Sequence, residues 1–170
     1  MKTKNEKVLA KALVYFITTV VLLVASSGLS YGQGEEQFSN SKNYKDSCIY
    51  IGKTFIQNLS DKNFEDLANL FSDNILFRAL IPPSLITSNE PNKTANYFKS
   101  WFYVDESEQY KVVDSKIDFF VDCLHINYRI FLTDEGNSYN VEQQLYCEIL
   151  SGKIYKLSLV CSGFRNVDQK

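Results

Sequence analysis

The feature that most constrains the fold of this chain is the alternation of apolar and polar residues across residues 111–164. A period of two is typical of strands that bury one face of a sheet and expose the other. Turn-forming residues interrupt the pattern at residues 134–137 and at Ser151 and Gly152, which predicts an antiparallel meander. Whether the first loop has two or four residues, the same pairs face each other: Ile126 with Leu145, Ile130 with Val141, and Leu132 with Tyr139.

The alternation assigns the residues of this meander to two faces. A tight turn at Asp122 and Cys123 would place Phe119 opposite Ile126 and Ile117 opposite Tyr128. The apolar face then contains Val113, Ile117, Phe119, Val121, Leu124, Ile126, Tyr128, Ile130, Val141, Leu145, Cys147 and Ile149. The polar face contains Asp114, Lys116, Asp118, His125, Asn127, Arg129, Glu142, Gln144, Tyr146 and Glu148. We expect helices to cover the apolar face.

The last strand breaks this alternation. Pairing Leu150 with Lys153 brings Ile154 to the apolar face, but it would bring Lys156 and Ser158 there as well. The more apolar set of this strand is Tyr155, Leu157, Leu159 and Cys161. Either a β-bulge after Ile154 exchanges the faces, or the strand is buried on both sides. We favour the bulge.

Helical periodicity precedes the meander. Residues 44–59 carry an apolar stripe of Cys48, Ile51, Phe55 and Leu59, which predicts a first helix. The polar break at residues 60–63 caps a second helix ending at residues 72–74, and residues 75–80 are predicted to form a short strand that Pro82 and Pro83 terminate. After a loop, Asn92 caps a third helix with the apolar stripe Ala95, Phe98, Trp101 and Phe102. The chain is therefore predicted to be α+β.

Residues 1–32 have the pattern of an export signal. Four lysines precede an uncharged segment, residues 12–25, and small residues follow before Gln33. We expect cleavage there and a periplasmic or secreted protein; the alternative is retention as a membrane anchor through residues 12–29. Cleavage would remove four lysines and one glutamate, so that the net charge would change from −2 to −5. Residues 33–43 are predicted to be a polar leader, residues 44–165 one domain, and residues 166–170 a tail.

The remaining composition excludes some classes of site. The acidic balance offers no basic stripe for nucleic acid. Cys48, Cys123, Cys147 and Cys161 could form disulfides in an exported chain, in any of three connectivities, or could be small core residues. With one histidine and no CxxC motif, neither a metal site nor a cofactor is predicted.

With these elements in order, residues 44–165 resemble the nuclear-transport-factor-2-like superfamily, in its SnoaL-like and ketosteroid-isomerase-like branch. The resemblance rests on residues 58–67, residues 70–77 and the closing hairpin at residues 151–154. It implies a cone-shaped, curved antiparallel sheet (a half-barrel) packed on three N-terminal helices, with a pocket at the open end. It also implies that the sheet face can form a homodimer.

The resemblance does not extend to isomerase chemistry. The position that matches the catalytic carboxylate of ketosteroid isomerases is Ala79, and the oxyanion-hole tyrosine falls on Phe55. The protonated acid of the sheet falls on or near Gln144. Because a general base needs an acceptor of suitable pKa, this type of isomerisation is disfavoured. The alignment also points Gln144 into the pocket, whereas the alternation places it outside, and a slip of one residue would reconcile the two.

Two groups of residues are candidate sites. His125 is predicted to face Tyr146, with Glu142 on the same face, and SnoaL-like cyclases use a related histidine and acid; ordinary cross-strand pairing is the simpler interpretation. The second group is an aromatic-lined ligand pocket formed by Tyr50, Phe55, Phe77, Phe98, Trp101 and Tyr128, with Gln144. A packed core is the alternative for these side chains. Arg78 could bind an anionic group, although a solvated strand residue is the simpler interpretation.

The preferred hypothesis is therefore an exported protein that binds a small apolar or mixed-polarity ligand, associates as a homodimer, or does both. The alternative is an acid–base enzyme, of isomerase, cyclase or dehydratase type, that uses His125 with Glu142 or Tyr146.

Overall fold

The computed structural model describes residues 33–102, 110–134 and 136–167. The predicted export signal lies outside these residues. The chain divides into two compact units, residues 1–43 and residues 44–170, and the described part of the first unit is helical. Of the helices that the structure describes, none has the combined length and hydropathy that crossing a membrane requires.

Three helices are described: α1 (Gln33–Ser60), α2 (Phe64–Asn69) and α3 (Pro91–Phe102). Residues 33–43, predicted as a polar leader, belong to α1. The side chain of Asn63 caps α2 by accepting a hydrogen bond from the backbone N–H of Asp66 at 3.2 Å. Helix α2 ends before the predicted residues 72–74, because Phe71 already begins a strand and the carbonyl of Leu70 accepts a hydrogen bond from Ile154 N–H at 2.8 Å.

The described strands form one curved, open sheet in the order β2-β1-β6-β5-β4-β3, with β7 paired to β5. Their bounds are β1 (Phe71–Ile81), β2 (Ser84–Ser88), β3 (Tyr110–Phe120), β4 (Cys123–Asp134), β5 (Asn137–Leu150), β6 (Lys153–Cys161) and β7 (Arg165–Asn166). The predicted α+β class, a curved sheet packed on helices, is confirmed. Its pairs are antiparallel apart from β1 and β6, which run parallel.

Strand β2 corrects the prediction of a loop after the two prolines. Pro82 and Pro83 do end β1, but they form the turn of a hairpin, so that the chain pairs back on β1 with Ile81 opposite Ser84. A turn tolerates prolines that cannot donate to a strand ladder.

The predicted pairing of β4 with β5 is confirmed, including Ile126 opposite Leu145 and Leu132 opposite Tyr139. The predicted pairing of β3 with β4 is wrong by two residues: Ile117 faces Ile126, and Phe119 faces Leu124. The turn lies at Val121 and Asp122, which both have positive φ, rather than at Asp122 and Cys123. A shift of two residues keeps Ile117 and Phe119 on their predicted face, whereas Val121, predicted for the apolar face, lies in the turn and is 77% exposed.

Two bulges set the edges of the apolar face. In β3 the register shifts between Val112 and Asp114, so that Val113 is exposed although it was predicted to be buried. In β6 the predicted bulge is confirmed: Ile149 pairs with Ile154 and Glu148 with Lys156, which leaves Tyr155 as the extra residue. Beyond it, the buried residues are Leu157, Leu159 and Cys161.

The core lies between the helices and one side of the sheet, which we call the inner face; the other side is the outer face. The predicted α1 stripe of Cys48, Ile51, Phe55 and Leu59 is buried against it. Helix and sheet approach closely at Gly52, where an added Cβ would lie 2.9 Å from the Cγ2 atom of Ile117. A larger residue here would push α1 from the sheet.

Candidate functional site

A pair of polar side chains lies at the centre of the inner face. Tyr128 on β4 and Gln143 on β5 are direct cross-strand partners. Gln143 is 1% exposed and Tyr128 is fully buried. The hydroxyl of Tyr128 donates a hydrogen bond to the side-chain carbonyl oxygen of Gln143. The amide nitrogen of Gln143 carries two further N–H donors.

The surroundings keep this pair uncharged. Burial raises the pKa of Tyr128 well above its usual value, because an apolar environment disfavours the charged phenolate. Tyr128 therefore remains a donor at physiological pH. A second buried tyrosine, Tyr110, donates its hydroxyl to the backbone carbonyl of Leu59, and burial raises its pKa as well. The inner face thus presents neutral hydrogen-bonding groups.

Aromatic rings surround the pair. The ring of Phe55 lies 6.3 Å from that of Tyr128 and 5.5 Å, edge to face, from that of Phe98. Phe98 in turn contacts Phe77 at 6.0 Å and Trp101 at 5.2 Å. Such contacts are favourable beyond the area that they bury. The cluster joins α1, α3, β1 and β4 around one apolar interior.

Five of the predicted pocket residues therefore come together: Phe55, Phe77, Phe98, Trp101 and Tyr128. Trp101 is half-buried, and its ring stacks on that of Tyr97 at 6.0 Å, so this end of the cluster reaches the surface. Tyr50 does not join them, because it lies on the solvent side of α1 with 70% of its surface exposed. Gln144 lies on the outer face, as its alternation indicated.

Gln143 is the functional candidate that sequence reasoning missed. The sequence contained a sufficient signal, because Gln143 lies two residues from both Val141 and Leu145, which are on the inner face. The family alignment placed the polar position at or near Gln144, one residue away. The register of the β4–β5 hairpin resolves that conflict.

The second predicted site lies on the outer face. His125 and Tyr146 are direct partners, and their rings stack at 4.8 Å. Asp118 on β3 is the other cross-strand neighbour of His125, so an acid, an imidazole and a phenol form one row. Glu142 lies four residues from Tyr146 along β5, about 13 Å away at strand spacing, and its carboxylate accepts a hydrogen bond from Asn127 at 3.3 Å.

The row on the outer face has one unusual group. The Nε2 atom of His125 is buried and has no hydrogen-bond partner among the described residues. Asp118 forms an ion pair with Lys116 at 2.9 Å. Of the three predicted catalytic residues, the structure thus brings together His125 and Tyr146 and leaves Glu142 apart.

The four cysteines are free thiols, and Cys48, Cys147 and Cys161 are buried. Burial raises the pKa of the Cys147 thiol, which keeps it protonated and weakly nucleophilic. In the part of the chain that the structure describes, no cluster of histidine, cysteine or acidic side chains could hold a metal ion. The three buried cysteines act here as small core residues.

Comparison with known proteins supports the fold. No family model matches the sequence, and no curated protein matches it significantly. Among solved structures, an LEH-like epoxide hydrolase from M. tuberculosis is similar with a TM-score of 0.53 and 13% identity, over 70% of this chain and 85% of that chain. An NTF2-like protein from Burkholderia xenovorans has a TM-score of 0.53 and 10% identity, over 69% and 91%. This chain therefore has the NTF2-like fold that its sequence motifs predicted.

Proposed function

We propose that this protein binds a small, uncharged and largely apolar molecule at the inner face, beside Gln143. The observation that carries the proposal is the buried, neutral pair of Tyr128 and Gln143 within an aromatic interior. The Gln143 amide has two N–H donors that an acceptor oxygen of the ligand could pair with, because buried polar groups are stable when they are hydrogen-bonded. The preferred ligand therefore has a carbonyl or ether oxygen on an apolar body.

Two further observations support binding over acid–base chemistry at this face. The position that matches a catalytic carboxylate is Ala79, which is fully buried. The buried polar side chains of the described residues, Asn58, Thr94 and Gln143, are neutral, as is the hydroxyl of Tyr128. Ligand entry takes place at the half-buried end, where separation of Tyr97 and Trp101 would open the aromatic cluster.

Trp101 allows a direct test, because it is the only tryptophan of the chain and belongs to the cluster. Acetophenone, which has an acceptor oxygen, should change the fluorescence of Trp101 at lower concentration than ethylbenzene does. Gln143→Leu should weaken acetophenone binding about fivefold to tenfold, as expected for one lost hydrogen bond, and should leave ethylbenzene binding unchanged.

Gln144→Leu is the matched control, since it makes the same change one residue away on the outer face. Equal acetophenone affinity in the two variants would refute the proposed role of Gln143. In a separate experiment, mass spectrometry of small molecules that co-purify with the native protein would identify the natural ligand class.

We also propose that the outer face mediates self-association. Leu85, Leu80 and Val160 are consecutive across β2, β1 and β6, and they are 66%, 49% and 48% exposed. A contiguous exposed apolar row is typical of an interaction surface. Leu80→Lys should lower the mass measured by light scattering to that of a monomer, whereas Leu150→Lys, at an exposed hairpin end, should not. A monomeric native protein would refute this proposal.

An acid–base role for His125 is the second candidate function. It is supported by the row of Asp118, His125 and Tyr146 and by the unpartnered Nε2 atom. For any substrate found by screening, His125→Ala should abolish turnover while the unfolding free energy changes little. Retained turnover would remove this candidate.

Export remains a proposal that rests on the basic and apolar pattern of residues 1–32. Intact mass measurement of the protein produced in a bacterial host should give a chain that begins at Gln33. A full-length chain in the membrane fraction would instead support the retained anchor.

A further inference from the structure

An open groove on the outer face collects positive charge on a chain that is negative overall. The groove has a volume of about 730 Å³ and lies where β2 ends beside β1 and β6. Its lining consists of Leu76, Phe77, Arg78, Thr87, Ser88, Asn89, Lys93, Lys156 and Ser158. These described lining residues include three cations and no aspartate or glutamate. The volume falls in the usual range for small-ligand sites.

The sheet register explains why the groove is polar and basic at this point. Arg78 lies between two hydroxyl residues, Thr87 on β2 and Ser158 on β6. Lys156 on β6 is opposite Leu76 on β1, two residues before the pair of Arg78 and Ser158. The parallel pairing of β1 with β6 therefore creates this arrangement. Lys93, on the first turns of α3, closes the remaining side.

Two of the three cations are uncompensated. Glu148 forms an ion pair with Lys156 at 2.6 Å and also accepts a hydrogen bond from the hydroxyl of Tyr155. The hydrogen bond from Lys156 to Glu148 raises the pKa of Lys156, whereas the charge of Arg78 acts in the opposite direction, so the two cations are within electrostatic reach. Among the described residues, neither Arg78 nor Lys93 has an acidic partner.

We propose that this groove binds a small organic anion through its carboxylate or phosphate group. Arg78 donates the planar pair of N–H bonds that such oxyanions accept, and Lys93 adds a second charge. Thr87 and Ser158 supply hydroxyl donors on either side of Arg78. The exposed side chain of Leu76 contacts the apolar part of the ligand. This site is separate from Gln143, which lies on the opposite face of the sheet.

Phenyl phosphate combines both parts of the expected ligand, and inorganic phosphate and phenol each contain one. In calorimetric titrations of the full chain, phenyl phosphate should bind more tightly than phosphate, and phenol should not bind in this groove. Amide resonances of Arg78, Thr87 and Ser158 should shift on titration. Added salt should weaken binding, because exposed charges are screened.

Arg78→Gln should weaken phenyl phosphate binding about tenfold or more, since it removes a charged, two-pronged donor. Arg129→Gln is the matched control: it makes the same charge change on the outer face of β4, outside the groove. Lys93→Gln should produce a smaller loss than Arg78→Gln. Gln143→Leu should have no effect.

Three results would overturn the proposal. They are an absence of phenyl phosphate binding, an equal loss in Arg78→Gln and Arg129→Gln, and amide shifts that map to strands other than β1, β2 and β6. Phosphate that binds as tightly as phenyl phosphate would overturn the role of Leu76 and, with it, the organic nature of the ligand.

Discussion

The inner and outer faces of the sheet are built from the same strands, yet they differ in almost every physical property. On β4 the inner residues Leu124, Ile126 and Tyr128 are fully buried, whereas His125 and Asn127, which alternate with them, remain partly exposed on the outer face. The inner face holds neutral groups among aromatic rings. The outer face carries the ion pairs, the row of Asp118, His125 and Tyr146, and the basic groove.

The difference indicates a division of roles. Burial makes charge costly on the inner face, so the ligand binding that we propose there would depend on shape and on one neutral amide, that of Gln143. The outer face can place cations next to each other, as at Arg78 and Lys156, because water screens them. Each of the following predictions measures one part of this contrast, starting with the largest effect.

Truncating an aromatic residue should lower the free energy of unfolding much more on the inner face than on the outer face. Phe55→Ala should lower the unfolding free energy by about 3–5 kcal/mol, because it leaves a cavity among Phe71, Phe98 and Tyr128. Tyr146→Ala, on the outer face, should cost about 1 kcal/mol or less. Urea unfolding followed by circular dichroism measures both values. Similar losses in the two variants would contradict the division between the faces.

The hydrogen bond between Tyr128 and Gln143 should behave as a coupled buried pair. Tyr128→Phe alone leaves the carbonyl oxygen of Gln143 without its donor and should cost about 1–3 kcal/mol. In the double variant with Gln143→Leu no polar partner remains, so its cost should be lower than the sum of the two single costs. A double-mutant cycle measures the coupling. Additive costs would show that the pair is not coupled.

The smallest effect on the free energy of unfolding is expected at Tyr44, whose side chain is neither fully buried nor fully exposed. Its hydroxyl donates to the carbonyl of Ile149 at 3.0 Å, its ring contacts Phe119, and it is partly exposed. Burial, followed by a hydrogen bond with Cys48, raises the pKa of Tyr44 to about 12.

The sign of the pH dependence at Tyr44 follows from that shift. The unfolded chain loses the proton near pH 10 while the folded protein retains it. The stabilisation is therefore complete below about pH 10 and is lost as the pH rises toward 12. Tyr44→Phe should make the decline of unfolding free energy over this interval less steep. An unchanged slope in urea titrations at several pH values would refute this assignment.

Periodicity in the sequence predicted the sheet face of most side chains correctly, but it predicted their cross-strand partners less well. It assigned the inner residues of β4 and β5 and favoured the bulge in β6 over a strand buried on both sides. It misplaced the β3–β4 register by two residues, because alternation has a period of two and cannot detect an even shift. It also missed the bulge at Val113, since a valine fits the apolar pattern whether or not it is the extra residue. The β3–β4 error mattered for the site, because the true register is what places Asp118 beside His125.

The candidate sites also show that the sequence identifies buried residues better than it identifies their partners. Five aromatic residues of the predicted pocket come together, since each lies on a strongly apolar stripe of its own element. Gln143 was missed because the family alignment pointed one residue away, although the alternation already placed it on the inner face. Arg78 was singled out as a lone cation, and its partners Lys93 and Lys156 could not be identified from the sequence.

The spacing of apolar residues specifies which side chains of each strand and helix face the interior, because burial selects apolar residues at the period of the element. Which strands are neighbours is set by contacts between distant parts of the chain. The parallel pairing of β1 with β6 joins segments that are far apart in the chain, and no local pattern encodes it. The basic groove exists because of that pairing, since charges on separate strands form a site only when the fold sets those strands side by side.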